Sequence, residues 1–373
     1  MVAPFLGKLA LRRLNQVILP GSHDAGLARQ FQHDLSIFSK LLSKPAEAIT
    51  QDKDVLHQAE AGARFFDVRI QKVGNELKSF HTMPNLLGKV PLVKSIKATH
   101  TDTKTIGSSG EGFHHILDGL RSFVQGSSEF VIVRLSHLKD SAEIFQDLWN
   151  WIADPANDPY VYKGTGNLAI KKVGDLAGHV IFVIEAKKFK HAVTPPKGGN
   201  PRVPGQADGF HRFYQSKGGN LPTVNDGLCV CGEFSNKKVL EDILKKQITN
   251  YSAHDQHKNC RGDQQHLYSL YWTATGGNIE ENTTRELTQE NFKRVRKLVN
   301  DTVQKNWSDT LKQNETVLMT PGKHWMKQQF DQENRARTKF AVKSASIPNI
   351  ILYDFVNDAM SQDIIDLNDL VDR

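Results

Sequence analysis

The chain has 373 residues, 48 Lys and Arg against 41 Asp and Glu, and 39% hydrophobic residues. That length buries a sizeable core, and 24% charged residues with a mean hydropathy of -0.46 exclude a disordered chain. No run of about 18 apolar residues occurs, which excludes a membrane-spanning helix, and three cysteines cannot form a disulfide framework.

The opening, Met1 to Leu11, is apolar but short, and Arg12-Arg13 follows it rather than preceding it, so no secretory signal is read there. Strand-length apolar runs then alternate with helical stretches. A first strand is predicted at Gln16 to Leu19 and a helix at Lys40 to Ala61. Strands follow at Arg64 to Ile70 and Leu77 to His81, and a helix at Gly112 to Gln125. A strand at Phe130 to Leu135 precedes a helix at Ala142 to Ile152, which Ser141 can cap and whose Ile144, Leu148 and Ile152 share one face. Further strands are predicted at Val180 to Ile184, Leu228 to Cys231, Leu267 to Trp272 and Ile350 to Phe355. Helices are predicted at Lys237 to Thr249, Thr288 to Val303 and Ser361 to Leu370, and long loops near 82–108, 190–225 and 273–286. Val131-Ile132-Val133 and Ile350-Ile351-Leu352 are wholly apolar, as strands covered on both faces are. About eight strands alternating with helices predict an α/β fold, a single (β/α)8 barrel in one domain over 1–373.

The net charge of +7 and pI near 9.1 permit attraction to anionic surfaces. The basic residues are scattered, with short clusters at Lys187-Lys188-Phe189-Lys190 and Arg294 to Lys297, and are read as solvated surface rather than a nucleic-acid footprint. Cys229, Cys231 and Cys260 lack zinc-knuckle spacing; they are read as buried thiols, the other reading being one bridge to Cys260.

Several polar residues stand at strand ends, where barrel enzymes carry their chemistry. His23-Asp24 follows Val17-Ile-Leu-Pro-Gly-Ser22. Asp67 and Arg69 are two apart on one strand, so both face the same side. His81 ends Leu77-Lys-Ser-Phe-His81, and Asp354 ends Ile350-Ile-Leu-Tyr-Asp354. Singly, each has a structural explanation: a loop histidine, a turn or cap, a buried ion pair. Together they suit phosphodiester cleavage by an internal hydroxyl, which needs a neutral imidazole as base, a protonated one as acid and a cation on the phosphoryl oxygens. Arg fits two such oxygens better than Lys.

At these residues the sequence resembles the bacterial phosphatidylinositol-specific phospholipase C family, the X-domain phosphodiesterases. Leu19-Pro-Gly-Ser-His-Asp-Ala-Gly26 resembles the family's first signature, Gly62-Ala-Arg-Phe-Phe-Asp-Val-Arg69 its second, and Phe80-His81 the site of its second catalytic histidine. Glu129 to His137, Leu267 to Thr273 and Pro348 to Asp354 resemble later strands. The resemblance implies a distorted TIM barrel. It implies that His23 is the general base for the inositol 2-hydroxyl, oriented by Asp354. His81 is then the general acid, partnered by Asp24, and Arg69 holds the phosphate with Asp67 fixing the arrangement. The implied products are diacylglycerol and a cyclic inositol phosphate.

In calcium-dependent relatives the Arg69 position carries an acidic metal ligand; the guanidinium here implies no metal and no cofactor. The inositol-binding Lys and Glu of the bacterial enzymes fall at Ser136 and Leu138 in this chain. Arg134, His137 and Glu185 are offered nearby, and they either line a head-group pocket or pair Arg134 with Glu185 inside the barrel. Tyr271 and Trp272, with Met83, Leu86 and Leu87, either form a membrane-facing rim or wall the pocket. The expected partner is a phospholipid at a membrane surface, with no nucleic acid, for a monomeric protein without a transmembrane segment. Two rivals stay open: the same chemistry on another head group or a soluble glycerophosphodiester, and a non-catalytic lipid-binding or toxin-like module. Location stays open between secretion by an unrecognised route and the cytoplasm.

Overall fold

The computed structural model describes residues 5–31, 33–34, 49–82, 107–139, 141–196, 198–216, 224–234, 246–247, 265–273, 349–366 and 368. The strands in chain order are β1 (Leu19–Ser22), β2 (His33–Asp34), β3 (Phe65–Val73), β4 (Glu76–Thr82), β5 (Gly107–Gly112) and β6 (Val131–Ser136). They continue with β7 (Val180–Glu185), β8 (Phe210–Ser216), β9 (Gly227–Cys231), β10 (Leu267–Trp272) and β11 (Ile350–Tyr353). The helices are α1 (Leu6–Leu9), α2 (Val55–Glu60), α3 (Phe113–Ser127), α4 (Ser141–Ala153) and α5 (Asp358–Asp366).

Parallel pairing runs β3–β6–β7–β8–β9–β10–β11–β1, and β1 returns to β3 through Gly21↔Phe65, closing an eight-stranded barrel. Alternation sorts the side chains. Leu19, Phe65, Ile132, Ile181, Val183, Val230, Leu267, Ile350 and Leu352 fill the interior, and Leu9, Leu14, Leu168, Val173 and Leu176 seal its amino-terminal end. Phe66, Val68, Val131, Val133, Phe182 and Ile184 face outward against Ile116, Leu117 and Leu120 of α3 and Ile144 and Leu148 of α4. Burial on both faces explains the apolar runs Val131-Ile132-Val133 of β6 and Val180 to Ile184 of β7.

The barrel count agrees with the sequence, but two of its members differ. Leu77 to His81 forms β4, which runs antiparallel to β3 and stands outside the barrel in a small sheet β3–β4–β5–β2. The eighth barrel strand is β8, inside the stretch 190–225 expected to be loop. Its Gly- and Pro-rich flanks conceal it, and its interior face carries His211, Phe213 and Gln215, which is no apolar run. The 82–108 loop likewise ends in β5.

Other boundaries shift. The first strand starts at Leu19, because Leu14–Gln16 is a 3-10 turn. Of the helix expected at Lys40 to Ala61, residues 40–48 lie outside the described residues, and α2 begins only at Val55, where Asp54 accepts the His57 N–H at 2.8 Å. Ser141 is already helical, and its hydroxyl donates to the Leu138 carbonyl at 3.4 Å. The last helix starts at Asp358 rather than Ser361. The helix at Thr288 to Val303, most of that at Lys237 to Thr249, residues 274–286 and Cys260 lie outside the described residues. Cys229 and Cys231 are buried on β9. Among the described residues no helix is long and apolar enough to cross a membrane.

Candidate active site

The site stands at the carboxyl ends of β1, β3, β6, β8, β10 and β11, joined by His81 from β4. Gly21 lets β1 pass close to β11: a Cβ there would meet Ile350 and Leu352 at 3.1 Å. Just beyond β1 the chain turns with Asp24 at φ 43°, a left-handed conformation that Asp tolerates better than most residues. Gln51 donates to the His23 carbonyl at 2.9 Å, Thr50 to the Asp24 carbonyl at 2.9 Å, and the Ala25 N–H to the Asp67 carbonyl at 2.9 Å. The turn is therefore held from several sides.

His23 Nδ1 lies 2.8 Å from Asp354 Oδ1. A carboxylate only accepts, so Nδ1 carries the proton and donates. That leaves Nε2 toward Asp24 Oδ2, 3.6 Å away. Asp24 is the hub: Oδ1 pairs with Arg69 Nε at 2.7 Å, and Oδ2 also faces His81 Nε2 at 3.8 Å. One buried carboxylate thus has a guanidinium on one oxygen and two imidazoles on the other.

Asp67 and Arg69 share a face of β3 but take partners on other strands. Asp67 Oδ1 accepts from Ser136 Oγ at 2.7 Å and lies 3.7 Å from Arg134 Nε. The parallel register sets Asp67 beside Arg134 and Arg69 beside Ser136. The buried Asp67 and the half-buried Arg69 each so meet an opposite charge. His23, Asp24 and Asp67 also bring ligand-type atoms within 4.8 Å of one another, a geometry that could hold a metal ion. Arg69 already supplies positive charge to Asp24 there.

Burial opposes a charge on His23, yet the Asp24 and Asp354 carboxylates outweigh it and raise the imidazole above its ordinary value. His81 moves the other way: burial, with the charges of Arg69, His23 and His137, outweighs Asp24 and pushes it down to about 4. Burial raises Asp67, but Arg134 and Arg69 outweigh it and hold its carboxyl low. Of the two imidazoles, His23 is the one whose surroundings favour the proton.

Arg134 is 2% exposed and stands beneath the site. Its guanidinium lies over the Phe213 ring at 4.5 Å and donates to Gln215 Oε1 at 2.8 Å. Its ion pair is with Asp67; Glu185 bears on it only through its field and pairs with Lys187 at 3.4 Å. Gln215, which sequence reasoning missed with β8, is exposed and joins three strands: its amide nitrogen donates to the Gly232 carbonyl at 3.0 Å and to Tyr271 Oη at 3.2 Å. Tyr271 is buried against Phe234, ring centroids 4.1 Å apart, and Phe234 also lies 5.3 Å from the His23 ring. His137 is exposed at φ 50° just after β6, its Nδ1 3.4 Å from Ser136 Oγ. The Trp272 side chain and Met83, Leu86 and Leu87 lie outside the described residues. His23, Asp24, Asp67, Arg69, His81 and Asp354 thus converge on one mouth, with Arg134 and Tyr271 below it.

No family model matches the sequence, and no curated protein matches it. Solved structures do. A variant of the phosphatidylinositol-specific phospholipase C from Staphylococcus aureus is 18% identical, covers 98% of this chain and 97% of its own, and superposes with a TM-score of 0.50. A second structure of the S. aureus enzyme is 17% identical over 97% of this chain and 96% of that one, TM-score 0.50. The Listeria monocytogenes phosphatidylinositol-specific phospholipase C is 14% identical over 96% and 95%, TM-score 0.49. The S. aureus likenesses, at this identity, bear on the fold: this chain and those enzymes share the distorted (β/α)8 barrel.

Proposed function

We propose that the chain is a metal-independent phosphatidylinositol-specific phospholipase C. The observation that carries the reading is the Asp24 hub, with Arg69 on one oxygen and His23 and His81 on the other. His23, aligned by Asp354, takes the proton of the inositol 2-hydroxyl as that oxygen attacks phosphorus. The bond to the diacylglycerol oxygen breaks, and His81 gives that oxygen its proton. Arg69 faces the phosphoryl oxygens, where negative charge gathers in the transition state. The products are diacylglycerol and a 1,2-cyclic inositol phosphate, and the two histidines exchange protonation states.

The charges around the site run against these roles, since they raise the His23 imidazole and burial lowers that of His81. The phosphodiester supplies the correction. Its negative charge beside His81 favours the imidazolium. The head group and the division of base and acid between His23 and His81 are drawn from the family resemblance; the geometry supplies their placement around Asp24.

Phosphorus NMR on phosphatidylinositol vesicles in excess chelator tests all three parts. A cyclic phosphodiester resonance is expected at an undiminished rate. Loss of turnover in chelator with rescue by calcium would turn the His23, Asp24 and Asp67 cluster into a metal site and overturn the proposal. Turnover of glycerophosphodiesters in preference to the lipid would favour the soluble-substrate rival.

A further inference from the structure

Among the described residues, most basic side chains on the surface have an acidic partner. Arg29 pairs with Asp52, Lys53 with Asp358, Lys72 with Glu143, Lys163 with Asp158, Arg202 with Asp208, Arg212 with Asp226 and Lys246 with Glu233. The turn after β7 concentrates lysines more densely than it pairs them. Lys187, Lys188 and Lys190 follow one another there with His191, and their one acidic partner is Glu185.

The turn is anchored from within. Ala186–Lys188 is a 3-10 turn. Phe189 packs edge-on against Phe145 of α4, ring centroids 5.5 Å apart, under the Arg212 guanidinium at 5.2 Å. Lys188 Nζ donates to the Leu138 carbonyl at 2.7 Å, which ties the loop after β7 to the loop after β6. Lys187, 73% exposed, and Lys190 are left outward on a fixed base. Both stand at the carboxyl end of the barrel, the same end as His23, Arg69 and His81.

We infer that the Lys187–Lys190 turn is a docking surface for anionic lipid, which presents the mouth of the barrel to a membrane. The inference rests on the phospholipase reading for its choice of partner. A surface built of clustered ammonium groups on an anchored turn attracts any polyanion. Its position beside the mouth favours a membrane over a nucleic acid: a barrel seated through this turn faces the bilayer with its active site, whereas a nucleic acid bound there gains nothing from the site.

The test uses the full chain and sedimentation with two kinds of vesicle, phosphatidylcholine alone and phosphatidylcholine with 30% phosphatidylglycerol. The wild type should partition onto the anionic vesicles at least tenfold better than onto the neutral ones, and 0.5 M salt should abolish the difference. Lys187→Gln with Lys190→Gln should weaken anionic partitioning about 25-fold, near fivefold for each lysine, and the Lys187→Glu, Lys190→Glu pair should show a larger loss. Turnover of a soluble inositol phosphodiester by these variants should stay within twofold of wild type. Equal partitioning of wild type and double variant overturns the inference, as does tighter binding of duplex DNA than of anionic vesicles at the same salt. Cleavage of the soluble substrate without lysine-dependent partitioning retains the phospholipase reading and removes the docking surface. Lysine-dependent partitioning without any cleavage retains the surface and removes the phospholipase reading.

Discussion

Arg69 reaches Asp24 through Nε at 2.7 Å, and in the proposed reaction the terminal nitrogens of its fork take the phosphate. Lysine has one ammonium and cannot serve both. Arg69→Lys is therefore expected to lose about 10²- to 10³-fold in kcat while keeping its Tm within a few degrees, as steady-state kinetics and thermal unfolding will report. Asp354 raises the His23 imidazole and fixes its tautomer. A base must be neutral to work, so with His23 in the proposed role kcat/KM is expected to rise with pH through the raised His23 value. Asp354→Asn should move that acid limb to lower pH and cut the plateau about 10²- to 10⁴-fold; an unmoved limb would detach Asp354 from His23. His81 carries the opposite sign in stability. Its folded value, about 4, lies below the unfolded 6.5, so the neutral form is favoured and its stabilising share is complete above pH 6.5 and lost as pH falls toward 4. His81→Asn should flatten the acid arm of the stability curve by about 3 kcal/mol between pH 6.5 and 4 in urea unfolding. His23, with its raised value, contributes in the other direction: fully below pH 6.5, fading as pH rises through the raised value. The convergence of these residues was legible because each polar group interrupts an apolar strand end. The partners were not: that Asp24 serves Arg69, while Asp67 turns to Arg134 and Ser136, follows from interstrand register, which one chain's pattern does not contain.

The strands of the barrel divide by how openly they announce themselves. β6, β7 and β11 are buried on both faces and read directly from their apolar runs, that of β6 being interrupted by Arg134. β8 does not, because its inward positions are His211, Phe213 and Gln215, set between Pro- and Gly-rich loops. Meanwhile β4 has strand composition but hairpin geometry, and nothing in Leu77 to His81 says which neighbour it will choose. Two errors of opposite sign therefore preserve the number of strands. Gly227 marks β8 after the fact. It sits beside Arg212 in the parallel register, and a Cβ on it would run into the Arg212 backbone carbonyl. Glycine is required there for backbone approach, not for flexibility. Gly227→Ala is expected to cost about 2–4 kcal/mol, measured by denaturant unfolding, and to reduce activity through Gln215 and Phe213 as β8 shifts.

The whole molecule separates stability from chemistry along the barrel axis. At the amino-terminal end Arg64 is buried, donating to the Ala59 and Ala63 carbonyls at 2.9 Å each and to Glu129 at 3.2 Å. Glu129 in turn accepts the Leu6 N–H at 3.1 Å, which seats α1 under the barrel. Glu129→Leu strands the guanidinium in the interior and is expected to cost about 3–5 kcal/mol. The same variant, assayed well below its Tm, should keep kcat within twofold, since nothing in the pair touches the opposite mouth. A large fall in kcat would mean that the two ends are coupled.

β1 is only four residues long, and it is held between β3 and β11, the latter from the far end of the chain. The hydrogen bond between His23 and Asp354 spans 331 residues. During synthesis, a ribosome-bound chain that has not yet released Ile350 to Asp354 has an open barrel and a histidine without its aligning carboxylate. The histidine–carboxylate pair is completed only when β11 slots between β1 and β10.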